Sequence, residues 1–166
     1  MDDFDITSLE FCPLYCNNLA STSEDGLLGL MDIHSEIEDD YIVLNIEEAG
    51  LRVGHLGLDV FTITMGAFQK WNVSQEDPNA TPTKSADVTL TQLGNVDYFI
   101  NAFDLNGVHA YAAGTHTGQL VINTADNISL LQGPDLHSET IREVKAYNGA
   151  IITGGEDGRI VVSTPV

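Results

Sequence analysis

His137, Thr153 and Asp157 are the residues whose types and order could carry chemistry. An imidazole, a hydroxyl and a carboxylate within reach of one another are the parts of an acyl-transfer triad. In such a triad the imidazole takes the hydroxyl proton and the carboxylate fixes the imidazole. The three lie in "HSETIREVKAYNGAIITGGEDGRIVVSTPV", which runs to the last residue. The hydroxyl and turn carboxylate recur near the N-terminus as Ser21 and Asp25 of "LASTSEDGLLGLMD". Two features argue against hydrolysis. Thr153 falls in an apolar run that reads as a strand, and a hydroxyl buried in a strand cannot present its oxygen to a substrate. No nucleophile elbow or oxyanion loop flanks it. "TGGEDG" also lacks the Lys-Ser/Thr of a phosphate loop, and no helical pattern follows it.

Other chemistry is no better served. Cys12 and Cys16 are close, but a metal would need two more ligands; His34 is the nearest histidine and there is no third thiol. They read as thiols of a reducing compartment. "EIEDD", Glu36 to Asp40, lacks the spaced oxygen ligands and turn glycine of a calcium loop and reads as a solvated acidic loop. No basic patch with interleaved aromatics offers itself to RNA. The sequence therefore predicts no catalytic residue, no cofactor and no metal.

The elements that must position these residues are strands. At 166 residues, with 43% hydrophobic and 19% charged, the chain is long enough for a proper core. Short β-branched runs bounded by turn residues recur: 7–11, 18–22, 27–31, 41–46, 59–64, 67–73, 87–93, 98–103, 108–114, 119–123, 128–131, 141–147, 150–153 and 159–163. That pattern is all-β: a sandwich, a barrel or a propeller. "SQEDPNATPTKSAD", residues 74–87, reads as a long exposed loop around Pro78 and Pro82.

A repeat selects among the three. Aligning Asp25-Gly26 with Asp157-Gly158 places Ser21 and Thr153 four residues before each aspartate, and Met31 and Ser163 six residues after. The same offsets from Trp71 put a turn at Met65-Gly66, and from Asn123 at Thr117-Gly118. Gly26, Gly66, Gly118 and Gly158 thus recur about every 40 residues, with one interval longer by roughly the Pro-containing loop, and a period near 40–45 with four strands per unit marks propeller blades. Each turn is expected to be a two-residue Asp-Gly type. The repeats predict boundaries at 5–46, 47–93 (with the loop at 74–87), 94–131 and 132–166.

With these residues the chain resembles the WD40 β-propeller family, most strongly in its first and last repeats. The resemblance implies a hydrogen-bonded tetrad of histidine, strand hydroxyl, turn aspartate and strand tryptophan that holds a blade together. The last repeat matches it with His137, Thr153, Asp157 and Gly158, and has Ser163 in the tryptophan's place. The first offers Ser21, Asp25 and Gly26, with Met31-Asp32 where Trp-Asp would stand. The second keeps Trp71-Asn72 but has no turn aspartate, and its His55 lies beyond the loop that would carry the tetrad histidine. The third has Thr117 at the turn and Ala113 in place of the hydroxyl. The family's propellers usually close with seven blades, and this chain supplies about four. The resemblance thus implies a partial ring completed by a missing propeller half, ahead of two alternatives: completion by a second chain, or four degenerate blades that close by themselves.

The function that follows is a non-enzymatic scaffold for protein partners. Six basic against 25 acidic residues leave a net charge of −19. Such a field repels nucleic acid and anionic membranes and favours basic proteins, so the alternative is an acidic binding module or chaperone for a histone or ribosomal protein. The charge also serves solubility alone. An enzyme using a pocket at the propeller face ranks below both. No apolar run spans a bilayer and the N-terminus is acidic where a secretory signal would be basic, which predicts an intracellular protein of cytoplasm or nucleus. On that reading the sequons at Asn72, Asn79 and Asn127 are coincidences.

Overall fold

The computed structural model describes residues 4–12, 18–33, 41–74, 80–125, 129–133 and 136–164. Its elements are antiparallel sheets, each a meander of sequential strands. Cys16, His34, Glu36–Asp40 and Pro78 lie outside the described residues. The chain divides into two compact units, Met1–Asp87 and Val88–Val166.

The first unit holds two four-stranded sheets. The first sheet runs β1 (Ile6–Phe11), β2 (Asn18–Ser23), β3 (Leu27–Asp32) and β4 (Tyr41–Asn45). The second runs β5 (Gly50–Leu56), β6 (Asp59–Thr64), β7 (Ala67–Asn72) and β8 (Thr83–Thr89), and β8 leads into a four-residue helix, α1 (Leu90–Leu93). Successive side chains of a strand alternate between faces, and the register uses this. Ala20, Leu28 and Leu44 of the first sheet bury against Val53, Val60 and Trp71 of the second. The opposite face of the first sheet carries Leu9 and Phe11, both exposed.

The second unit repeats the plan with β9 (Tyr98–Leu105), β10 (Val108–Gly114), β11 (Leu120–Thr124) and β12 (Ser129–Gly133) in a third sheet. The fourth sheet has three strands among the described residues: β13 (Ile141–Tyr147), β14 (Ala150–Gly155) and β15 (Ile160–Ser163). Ile100, Ala112, Leu120 and Ile122 of the third sheet pack against Ile141, Val144 and Ile151 of the fourth. Each of the isoleucine, leucine and valine side chains among them contributes about 1.5–3 kcal/mol of burial.

Three expectations need correction. First, β5 was absent from the sequence-derived strands. Second, residues 74–87 are not one loop: β8 begins at Thr83, where Val88 is buried and Ser85 Oγ reaches the Lys70 carbonyl of β7. Residues 90–93, expected as strand, are helical, capped by Thr89, whose amide donates to the Gln92 side chain at 2.8 Å. Third, the turns differ in length. In the first, third and fourth sheets the loops have three residues, Glu24-Asp25-Gly26, His116-Thr117-Gly118 and Glu156-Asp157-Gly158. Each glycine has φ between +74° and +88° and donates its N–H to the carbonyl three residues back. That is the three-residue hairpin with a left-handed glycine. In the second sheet Thr64 and Ala67 flank the two-residue turn Met65-Gly66, and Gly66 is not left-handed.

Candidate functional site

β14 and the connection from the third to the fourth sheet bring His137, Thr153 and Asp157 together. His137 is fully buried. Its Nδ1 lies 2.9 Å from Asp157 Oδ1 and its Nε2 lies 2.8 Å from Thr153 Oγ1. With the proton on Nδ1 the ring donates to the carboxylate and accepts from the threonine hydroxyl. Asp157, whose side chain is 5% exposed, also accepts from Ser138 N at 3.0 Å, Arg159 N at 3.0 Å and the Arg159 guanidinium at 2.8 Å. The His137 ring first, then these N–H donors, hold the Asp157 carboxyl well below the usual carboxylate range, against the opposing effect of burial. The residues have the parts of a triad in a different arrangement. Thr153 is 1% exposed within β14, so its oxygen has no path to a substrate. Ser163, in the tryptophan's place, has a buried Oγ with no hydrogen-bond partner among the described residues.

The first sheet brings less together. Ser21 sits in register with Thr153: Leu9 pairs with Ser21 as Val144 pairs with Thr153. Asp25, however, is bonded by Ser23 Oγ and, at 3.3 Å, by Leu27 N. No histidine reaches it among the described residues.

In the second sheet Trp71 Nε1 donates to Thr62 Oγ1 at 3.5 Å. Counting back from the turn by the offset of the other repeats gives Phe61, not Thr62. The shorter turn of this sheet displaces the hydroxyl by one position. Glu48, which sequence reasoning did not single out, supplies the carboxylate here. Its Oε2 accepts from Thr64 Oγ1 at 2.7 Å and from Gly66 N at 3.1 Å. Asp97 plays the matching part in the third sheet, accepting from His116 N at 2.8 Å. All four second turns are thus held by a carboxylate. In two it belongs to the turn, and in two it comes from the connection leading into the sheet. The signal that could have found them is an acidic residue one or two positions before a sheet's first strand: Glu48 before Gly50, Asp97 before Tyr98.

A tyrosine bolts the third sheet to the fourth. The Tyr98 hydroxyl accepts from Ile141 N at 2.9 Å and donates to Ile141 O at 3.1 Å, its ring stacks on His116 at 5.3 Å, and burial pushes its phenol up. Tyr98→Phe leaves the Ile141 N–H without its acceptor, and urea unfolding should show a loss of about 1–3 kcal/mol.

No protein-family model matches the chain. It is 27% identical, over 94% of its length, to WD repeat-containing protein GTS1 of Arabidopsis thaliana, and spans 46% of that protein. The chain therefore covers about half the length of this curated relative. Among solved structures, the computationally designed Ika4 protein matches 99% of the chain with 93% of its own length, at 15% identity and a TM-score of 0.71. The designed Ika8 protein matches with 47% of its length at 15% identity and a TM-score of 0.69. The β-propeller domain of Cps50 (Swd1) from Myceliophteria thermophila matches 95% of the chain with 51% of its own, at 12% identity and a TM-score of 0.66. These likenesses concern the fold.

Proposed function

The chain being a WD40-type β-propeller protein, we propose that it is a scaffold for protein partners and performs no reaction of its own. The observation that carries this reading is the inward use of the triad-like group. Asp157 spends both oxygens on four neighbouring donors, and His137 is sealed between Asp157 and Thr153. On this reading Ser21, Asp25, Gly26, Trp71, His137, Thr153, Asp157 and Gly158 shape blades, and binding falls to the exposed loops.

The chemistry of those loops favours a basic partner, a histone or ribosomal protein among the candidates, which makes the protein an acidic binding module on this second reading. In the first unit Asp5, Glu24 and Glu47 are exposed at the β2–β3 turn end, where Glu24 N bonds Asp5 O and the Gly26 turn lies against Glu48. Lys84 lies beside them, 3.9 Å from Glu47. Among the described residues no helix is long and apolar enough to cross a membrane; an intracellular site is part of the same proposal. So is completion of the propeller by further blades, from a longer chain or a second one.

A Lys/Arg-rich peptide titrated into the labelled protein tests the reading. Binding should weaken clearly as salt rises past about 0.15 M, where exposed charges are screened beyond about 8 Å. Glu24→Gln with Glu47→Gln should weaken it further. Binding that ignores both salt and these substitutions would overturn the basic-partner reading.

A further inference from the structure

We infer that the chain pairs with a second copy of itself, the first sheet of one copy packing on the fourth sheet of the other. The inference rests on the blade-completing proposal above and names the blades. Its basis is a comparison of equivalent positions across the sheets.

Within each unit one packing rule holds. The earlier sheet offers the face bearing Leu28 in the first sheet, or Leu120 and Ile122 in the third. The later sheet covers it with the face bearing Val53 in the second, or Val144 in the fourth. The pairing registers make these positions equivalent. Ile122 pairs with Ala112 as Val162 pairs with Ile152, and Leu120 pairs with Gly114 as Ile160 pairs with Gly154. Leu9 pairs with Ser21, Val53 with Thr62 and Val144 with Thr153.

Burial at the equivalent positions is opposite. Leu120 and Ile122 are 0% exposed; Ile160 and Val162 are 77% and 64% exposed. Val53 and Val144 are 4% and 0% exposed; Leu9 is 58% and its same-face neighbour Phe11 50%. The fourth sheet therefore shows an uncovered face of the covered type, and the first sheet an uncovered face of the covering type. Each lacks what the other provides. Apolar patches of this kind mark association surfaces.

A second copy is the occupant on two grounds. It carries both complementary faces in the register that already packs twice within the chain. In addition, the chain spans 47% and 51% of the length of two solved structures of the same fold, so two copies match the length of one such fold. The contact is apolar while each copy carries −19, so like-charge repulsion opposes it and salt relieves that repulsion.

Sedimentation equilibrium on the full chain at micromolar concentrations is the test. The expected result is twice the chain mass, with association tightening about tenfold as salt rises from about 0.05 M to about 1 M. This is the reverse of the salt effect on basic-peptide binding, so either proposal can fail alone. Two double variants, Leu9→Glu with Phe11→Glu and Ile160→Glu with Val162→Glu, alter exposed side chains and should keep the parent circular dichroism. Each alone should be monomeric. Mixed, they should form a heterodimer, because one intact contact is restored. A parent that stays monomeric at both salt concentrations overturns the inference and leaves the two faces to further blades of a longer chain. Variants that still dimerise, or a mixture that gives no heterodimer, overturn it as well.

Discussion

Gly118→Ala should lower the stability of the Val88–Val166 unit by about 2–5 kcal/mol, adding a left-handed backbone cost of about 1–2 to an overpacking cost of about 1–3. Gly118 has φ +88°, and a Cβ built there would stand 2.1 Å from the His137 carbonyl oxygen and 2.4 Å from its carbon. Both are backbone atoms, so no rotamer change relieves the clash. The same backbone is bonded to the turn, His137 N donating to Gly118 O at 3.4 Å. Pushing that connection outward moves the His137 ring away from Asp157 and Thr153. Gly158 supplies the control. It has φ +74° but nothing within 4 Å of a built Cβ. Gly158→Ala should cost the backbone part alone, about 1–2 kcal/mol. Urea unfolding of both variants decides it. Equal losses would mean that the His137 connection does not press on the Gly118 turn.

What the sequence showed and what it hid have separate physical causes. The glycine turns were legible because a three-residue hairpin needs a left-handed residue at one fixed place, and Gly26, Gly118 and Gly158 mark it. β5 was hidden by its own packing. Gly50 and Gly54 break its apolar pattern, yet a Cβ on Gly50 would lie 2.5 Å from Thr22 Cβ, and one on Gly54 would lie 2.5 Å from the Phe61 ring. The residues that made the strand look like a loop are those that let neighbours close on its backbone. The hydroxyl partner of Trp71 was missed because equal offsets assume equal turns, and the second sheet's turn is shorter. Glu48 and Asp97 were missed for a related reason. A turn N–H needs a carboxylate within reach, not one at a set position in the sequence, and the connection before a sheet reaches as well as the turn does. His137, Thr153 and Asp157 were legible because the fourth sheet keeps the spacing and both ends of the network on its own repeat.

The same network sets the largest effect expected of a side chain. His137→Phe fills the space but offers neither ring nitrogen, so the Thr153 hydroxyl loses its acceptor and Asp157 its buried donor. The expected loss is about 2–3 kcal/mol, and Thr153→Val alone should cost about 1–2 kcal/mol. The double variant should cost less than their sum, because both remove one shared bond. Asp157→Asn isolates the carboxylate through pH. In the folded protein Asp157 takes its proton only well below the usual range, whereas the unfolded chain takes one near pH 4. Between those limits the unfolded state binds more protons, so acid favours unfolding. The stabilisation is complete above about pH 5 and drains away as pH falls through the carboxylate range. The gap between parent and Asp157→Asn should therefore be widest near neutrality and shrink on acidification. Asp25→Asn should open a smaller gap, since Ser23 and Leu27 are its donors and no histidine is among them. A catalytic aspartate would leave the midpoint of unfolding in place and abolish a reaction. Urea midpoints from pH 7 down to about pH 3 separate the two roles, because only a carboxylate that holds its turn by charge gives a gap that closes with acid. A gap that stays constant over that range, or none at all, would rule out the structural role proposed for Asp157.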